Sequence, residues 1–289
     1  MPGPVSVVIP AHNESTAIVR LLRTLLDTDP DRRLEIVVAA NGCTDDTAAL
    51  AAAVSPRVRV VEVAAASKIA ALNAGDAASH AFPRVYLDAD VSVTGEALLA
   101  AADALHDPPY ASAPRMRIDT RGASIWVRGQ YAVWERTDYR RGSMVGSGVY
   151  VLSEAARARF GPFPDVISDD GFVLRHFPGA ERVVLADATF TITAPRTMSA
   201  FIRRQARILA GNEELAARFP GLPGEPSAGS TRALFTRILR TPALWLPAVP
   251  YAVARVAARR QAAKVRGDWS RQGWNRDEST RAAQTERWE

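Results

Sequence analysis

The first hundred residues alternate short β-branched runs with stretches of helical periodicity, and this rhythm restricts the fold more than any other feature of the chain. Residues 5–9, 34–39, 58–63 and 85–87 are apolar runs of strand length. Between them, Ile18, Leu21, Leu22, Leu25 and Leu26 recur at helical spacing, Thr44 or Asp45 opens a helix reaching residue 54, and Ser67 caps another through Ile69, Leu72 and Ala77. A fourth helix follows over 95–105. Strands alternating with helices in this way imply a parallel sheet with helices on both faces. Ligands of such sheets bind beyond the carboxyl ends of the strands, where the strand order reverses. The residues after each strand therefore carry the argument: Pro10 to Glu14 after the first, Asn41 after the second, Asp88 and Asp90 after the fourth. All three groups are expected at one edge of the sheet.

The second half has a different character. Residues 123–139, with Ile125, Trp126, Tyr131 and Trp134, predict a helix, and Gly146, Ser147 and Gly148 lead into a strand ending at Leu152. Ser168-Asp169-Asp170 opens onto Gly171-Phe172-Val173-Leu174-Arg175. Strands are expected at 182–186 and 189–193, a basic helix at 198–218, and a Pro-, Gly- and Ser-rich linker at 220–230. Beyond it, PALWLPAVPYAVA (242–254) is apolar but shorter than the roughly 20 residues of a membrane span, and its three prolines argue against one straight helix. Basic flanks with Trp245 and Tyr251 suit a segment lying in a membrane interface. An arm packed against the body is the other reading.

Charge separates these regions. Residues 231–289 carry 12 Arg or Lys against 5 Asp or Glu, whereas the rest carries 24 against 26. The body is slightly acidic and shows no nucleic-acid-binding motif, so no nucleic-acid partner is expected. The basic extension can attract an anionic membrane surface. The single cysteine, Cys43, excludes an intramolecular disulfide and reads as a small packed residue. The first residues, MPGPVSVVIPAHNE, lack the charged and long apolar regions of a signal peptide. The expected location is the cytoplasm, with peripheral attachment to the inner face of the cell membrane through the extension.

Asp88 and Asp90 close an apolar run, and burying two like charges costs several kcal/mol unless a cation compensates. In a strand the two side chains would share a face, about 7 Å apart. There Mn2+ or Mg2+ together with a diphosphate would neutralise them. The plain alternative is a strand leaving for water, since Asp favours turns. For Asp169 and Asp170 the plain alternative is a helix N-terminus, where an acid stabilises the macrodipole by about 0.3–1 kcal/mol. Trp126 and Trp134 are either core or a stacking platform, and His12 reads as a packed or hydrogen-bonded loop residue.

The ordered set IPAHNE (9–14), VVAANGCTDDT (37–47), KIAALNAG (68–75), LDAD (87–90), GSGVYVLS (146–153) and SDDGFVLR (168–175) resembles the family 2 glycosyltransferases of GT-A fold, over residues 4–210. The resemblance implies an α/β fold with a Rossmann-like, mostly parallel sheet flanked by helices, to which the composition beyond residue 230 adds a C-terminal helical, membrane-associating extension. It implies inverting transfer of a sugar from a nucleotide-diphosphate donor to a hydroxyl acceptor, with Mn2+ or Mg2+. The acceptor would be lipid-linked, or a glycan or natural-product precursor.

Residue by residue, Pro10, Ala11 and Glu14 match the family's first nucleotide-contacting loop, and Lys68 a basic residue near base and ribose. Asp88 matches the acid near the ribose and the metal's waters, and Asp90 the acid that binds the metal directly. Asp169 and Asp170 match a pair whose second acid is the catalytic base. Gly146, Ser147, Gly148, Trp126, Arg204 and Arg207 are expected at the acceptor. Arg204 to Arg207 loosely resembles the Gln/Arg-x-x-Arg-Trp motif of processive members, but Ile208 replaces the Trp, which speaks against processivity. Relatives carry Asp-Asp-Gly-Ser after the second strand, with an Asp reading uracil, where this chain has Ala40-Asn41-Gly42-Cys43. Asn offers a donor as well as an acceptor, so Asn41 is expected at the base, with a UDP-sugar favoured and guanine or thymine admitted.

The implied organisation is a catalytic domain at 1–219, a linker at 220–230 and a basic helical extension at 231–289. Within the catalytic domain, 1–106 would bind the nucleotide sugar and 107–219 the acceptor. A nucleotidyltransferase of similar fold would carry a Gly-rich basic phosphate loop after the first strand, and PAHNES is not one. A non-catalytic membrane scaffold would need only the extension, and the intact Lys68, Asp88, Asp90 and Asp170 argue against it.

Overall fold

The structure, a computed structural model, describes residues 3–106, 108–135, 148–223, 234, 236 and 238–264. The chain divides into two compact units. The first comprises Met1–Arg117, Gly146–Asp165 and His176–Ile192, and the second Ile118–Val145, Val166–Arg175 and Thr193–Glu289.

The first unit is built on the sheet. β1 (Val5–Ala11), β2 (Leu34–Asn41), β3 (Val58–Val63) and β4 (Arg84–Leu87) pair in parallel in the order β3-β2-β1-β4. β1 is buried along its whole length, as a strand covered on both faces must be. The helices between them are α1 (Ser15–Asp27), α2 (Thr47–Val54) and α3 (Lys68–Ala77), followed by α4 (Gly95–Asp103) after the short β5 (Ser92–Val93). α1 forms because Ile18, Leu21, Leu22 and Leu25 make one apolar stripe, and all four are buried. The chain moves from β1 outward to β3, then returns to place β4 on the other side of β1. The reversal of strand order therefore lies between β1 and β4.

The rest of the sheet is antiparallel. β4 pairs with β7 (Val149–Leu152), which pairs with β6 (Ala111–Asp119), and β8 (Arg182–Thr193) pairs with β5. The sequence reading omits β6, because Pro114, Arg115 and Arg117 interrupt its alternation. Its first four residues are nonetheless buried. The two strands expected between 182 and 193 are one continuous strand.

In the second unit, α5 (Ile125–Trp134), α7 (Asp169–Leu174), α8 (Met198–Arg218) and α9 (Trp245–Ala263) carry the packing, while the short α6 (Glu154–Arg157) belongs to the first. Val127 and Tyr131 of α5, Phe201 of α8 and Ala254 of α9 share one apolar cluster, and Ala206, Ala210, Ala258 and Ala262 share a second. The segment after 242, where three prolines argued against one straight helix, is a 3-10 turn at Pro242–Leu244 followed by a 19-residue helix that contains Pro250. Pro247 sits in the first turn, where its missing N–H has no intrahelical acceptor to lose, and Pro250 costs a single ladder bond. Among the described residues no helix is long and apolar enough to cross a membrane. Most of the expected linker, 224–230, and the last 25 residues lie outside the described residues.

Candidate active site

In the first unit the ends of β1, β2 and β4 meet at the reversal of strand order. Val8 pairs with Tyr86 in the β1–β4 register, so two residues further along each chain come Pro10 and Asp88. Pro10 and Ala11 are buried in β1, and Ala11 stands beside Ala40 of β2. Asp88 and Asp90 do not share a strand face as expected. β4 ends at Leu87, and the acids lie in a turn closed by the Val91 N–H donating to the Asp88 carbonyl (3.2 Å). The Asp88 N–H donates to the Gly148 carbonyl (2.8 Å). Gly148 has φ +99°, and a Cβ there would lie 3.1 Å from the Asp88 carboxylate and 2.8 Å from Val91. A side chain at 148 would thus displace Asp88. The structure puts Gly148, expected at the acceptor, against this acid. Gly146 and Ser147 lie outside the described residues.

Lys68, expected near base and ribose, has its Nζ 2.7 Å from Asp88 Oδ1, so this acid has a protein cation beside it. Its position follows from local chemistry. Ser67 caps α3 by accepting from the Ala70 N–H (3.2 Å), which sets Lys68 on the first turn. The β2 loop holds that cap. Gly42, at φ +55°, approaches so closely that a Cβ would sit 2.7 Å from the Ala66 backbone, and its N–H donates to the Val63 carbonyl (2.8 Å).

Asn41 is fully buried. With its amide nitrogen toward the Ala11 carbonyl (2.8 Å) and its oxygen toward the Ser67 N–H (3.2 Å), both ends are satisfied. Asn41 therefore latches β1 to the start of α3, and its side chain is committed to the backbone. These bonds give Asn41 a bracing role in the loop expected at the base. His12 is the hydrogen-bonded loop residue anticipated, with Nδ1 2.6 Å from the Asn41 carbonyl. Cys43 packs with its thiol 3.5 Å from the Ala11 carbonyl.

Glu14 is buried, and its N–H donates to Thr47 Oγ1 (2.8 Å). Asp45 accepts from the Ser15 N–H and from Thr47. Burial opposes its ionisation, but those hydrogen bonds outweigh burial and hold the carboxyl below the usual carboxylate range. Together these bonds tie the loop after β1 to the start of α2. Asp90, by contrast, is exposed.

Behind Lys68, at the far end of α3, the Asp76 carboxylate receives Arg84 (2.5 Å), Arg157 (2.7 Å) and the Tyr86 hydroxyl (2.5 Å). Burial pushes the Tyr86 phenol up, and Asp76 adds to it. For Asp76, burial is outweighed by these donors and its carboxyl is held low. This knot joins α3, β4 and α6, and the sequence carried no motif for it.

The second unit holds the other acidic pair. Ser168 caps α7 by accepting from the Gly171 N–H (3.2 Å), and its hydroxyl donates to Asp170 Oδ1 (2.7 Å). The Gly171 N–H also lies 2.7 Å from that oxygen, so Asp170 is oriented by the cap itself, while Asp169 is buried. Sequence reasoning missed the support behind them. Glu214 of α8, 1% exposed, accepts from the Ile167 N–H (2.8 Å) and from Arg218 (2.6 Å). A Cβ on Gly211 would lie 3.0 Å from Ser168. Their signal was a buried-helix acid and a glycine in one turn of α8, visible only once α7 is placed on it. Arg204 and Arg207 lie half-buried on α8. Trp126 is 59% exposed and so is not core, whereas Trp134 packs edge-on against Tyr131.

Among the described residues no three His, Cys, Asp or Glu side chains gather as a ready-made metal site. Asp90 with Asp88 offers one or two carboxylates, the number that Mg2+ or Mn2+ takes when phosphate and water complete its shell. The donor set fits such an ion bound together with a diphosphate.

No curated protein matches the chain. Among solved structures, a mannosyltransferase from Pyrobaculum calidifontis in complex with GDP-Man and Mn2+ aligns with a TM-score of 0.62 at 22% identity, covering 91% of this chain and 76% of that one. Glucosyl-3-phosphoglycerate synthase from Mycobacterium tuberculosis, in complex with Mn2+, UDP and phosphoglyceric acid, aligns with a TM-score of 0.50 at 19% identity, covering 72% of this chain and 78% of that one. At these identities the likeness is one of fold, and it is the mixed α/β arrangement of GT-A enzymes. Residues 6–162, more than half of the chain and including every donor-side motif, match glycosyl transferase family 2. The chain belongs to that family and is a glycosyltransferase.

Proposed function

We propose that the protein transfers a sugar from a nucleoside-diphosphate donor to a hydroxyl acceptor with inversion at the anomeric carbon, using a divalent ion. The observation that carries this reading is the Lys68–Asp88 ion pair at the reversal of strand order, with Asp90 exposed beside it. UDP is the first candidate nucleotide and GDP the second, these being the nucleotides of the two similar structures.

In this reading residues 1–106 bind the donor. Pro10, Ala11 and Glu14 line the nucleotide loop, with Asn41 bracing it from behind. Lys68 fixes the direction of the Asp88 carboxylate. Asp90, with Asp88 beside it, would hold the ion, which when bound supplies positive charge against the departing diphosphate. Residues 107–219 serve the acceptor. Asp170 takes the proton of the acceptor hydroxyl as its oxygen attacks the anomeric carbon. The bond from that carbon to the diphosphate oxygen breaks, and its electron pair leaves with the diphosphate. Asp169 and the Ser168 cap orient Asp170, and Trp126, Arg204 and Arg207 are available to the acceptor.

Calorimetric titration with UDP, GDP and dTDP, each with and without Mn2+, tests the donor side on the wild type and on Asp90→Ala. The expected result is metal-dependent binding of one nucleotide, lost in the variant. Metal-independent binding, or equal binding by Asp90→Ala, would remove Asp90 from its role. A folded protein that binds none of the three would sink the donor assignment.

A further inference from the structure

Helix α9 carries apolar side chains on two opposed sides, and packing within its own unit uses only one. Ala258 and Ala262 are buried against Ala206 and Ala210 of α8, and Ala254 against Val127 and Tyr131 of α5 and Phe201 of α8. On the other side Leu246 is 87% exposed, Val249 67%, Val253 61% and Val256 48%. At about 100° per residue these four fall within roughly 80° of the helix circumference, and the three alanines lie nearly opposite. The helix thus turns its smallest apolar residues inward and its largest outward, the reverse of a helix that serves only a core. Trp245, 56% exposed, stands at the N-terminal end of the stripe, where its indole N–H donates to the Ile238 carbonyl (3.1 Å) and fixes the ring. The same unit also exposes Ile125 (74%) and Trp126 on α5.

Charge selects the occupant. Residues 231–267 contain eight Arg or Lys and no Asp or Glu. Arg255 and Arg259 are exposed along one edge of the stripe, and Arg260 and Lys264 continue its line toward the C-terminus. A second copy of the chain docking here would bring cation against cation. An anionic surface would meet all of them, and a lipid surface would in addition take the aliphatic stripe and the indole. Nineteen residues of helix span about 28 Å. A helix of this length with one cationic edge lies along an interface rather than through it.

We infer that α9 docks the protein on an anionic lipid bilayer, lying in the headgroup plane with Leu246, Val249, Val253, Val256 and Trp245 inserted. The inference is independent of the donor assignment.

The test is flotation of the full-length protein with phosphatidylcholine vesicles, with and without phosphatidylglycerol. A Leu246→Glu/Val249→Glu/Val253→Glu variant runs beside the wild type, and light scattering gives the mass of each. The wild type should float with the anionic vesicles and shift Trp emission to the blue, a shift reduced in Trp245→Phe. The variant should partition roughly tenfold less or weaker still, since each added charge opposes insertion. Its melting curve should be unchanged, because all three positions are exposed. Absence of wild-type flotation overturns the inference, as it would if the occupant were an acidic protein. Equal flotation of the variant overturns the role of the stripe. A wild-type dimer that the variant breaks would assign the face to a second copy and overturn it as well.

Discussion

Asp88 and Asp90 in the first unit and Asp169 and Asp170 in the second are both acids at the boundary of an element, and they are held by different means. Asp88 is fixed by the backbone of an antiparallel neighbour, through Gly148, and by a full positive charge from Lys68, while Asp90 stays exposed. Asp170 is oriented by a hydroxyl and an amide from its own helix cap, while its neighbour Asp169 is buried. The first arrangement pairs one acid with a cation and leaves a second exposed two residues on, which in the proposed reading suits a diphosphate and its counter-ion. The second gives one carboxylate a direction through neutral donors, which suits proton transfer. In the proposed function the same residue type would serve two kinds of chemistry through what surrounds it.

The largest expected effect separates the two pairs outright. Asp170→Asn should lower the transfer rate by about 10²–10⁴-fold, the usual contribution of a general base. Nucleotide binding by calorimetry should stay at the wild-type level. A rate within a few-fold of wild type would take Asp170 out of the reaction. Loss of nucleotide binding would erase the division of labour between the pairs.

A second break acts on the scaffold behind Lys68. Asp76→Ala leaves Arg84 and Arg157, both largely buried, without their shared carboxylate. Breaking a buried pair in this way costs about 3–5 kcal/mol, measurable as a lower urea midpoint. The pH dependence has a definite sign. The folded Asp76 carboxyl lies below its unfolded value of about 3.9. Its contribution is therefore full above that value and is lost as pH falls from there through the folded pKa. The acid limb of the stability curve should flatten in the variant. An unchanged limb would show that Asp76 is not linked to folding.

What could be read in the sequence follows the range of the interactions involved. Strands β1 to β4 and helices α1 to α4 were legible because their periodicity is local, Asp88 because parallel strands end at one edge, and Lys68 only through the family resemblance. β6 was not, since Pro114 and two arginines mask a strand whose partner β7 lies more than thirty residues away. Asn41 shows a different limit. Its donor and acceptor suit a nucleobase and a pair of backbone groups equally well, and only the fold reveals that Ala11 and Ser67 take both. Glu214 and Gly211 acquire meaning only when α7 rests on α8. In α9 the prolines were weighed as breakers by count, whereas their position in the helix decides the outcome.

The smallest effect sharpens the comparison most, because the same substitution is made on both sides. Ser67 and Ser168 are both N-caps accepting from the third residue onward, each at 3.2 Å. Replacing either by Ala should cost about 1 kcal/mol of stability. The functional consequences should diverge. Ser67→Ala loosens the first turn of α3, which carries Lys68, and should raise the nucleotide dissociation constant a few-fold while sparing the maximal rate. Ser168→Ala removes a cap that also donates to Asp170 Oδ1, and should lower the maximal rate while sparing nucleotide affinity. Stability serves as the internal control, since both variants lose a cap of the same chemistry. If both altered affinity and rate in the same proportion, the two acidic pairs would not be acting in separate steps. A crossed pattern, with affinity lost from one cap and rate from the other, ties each acid to its step through the residue that orients it.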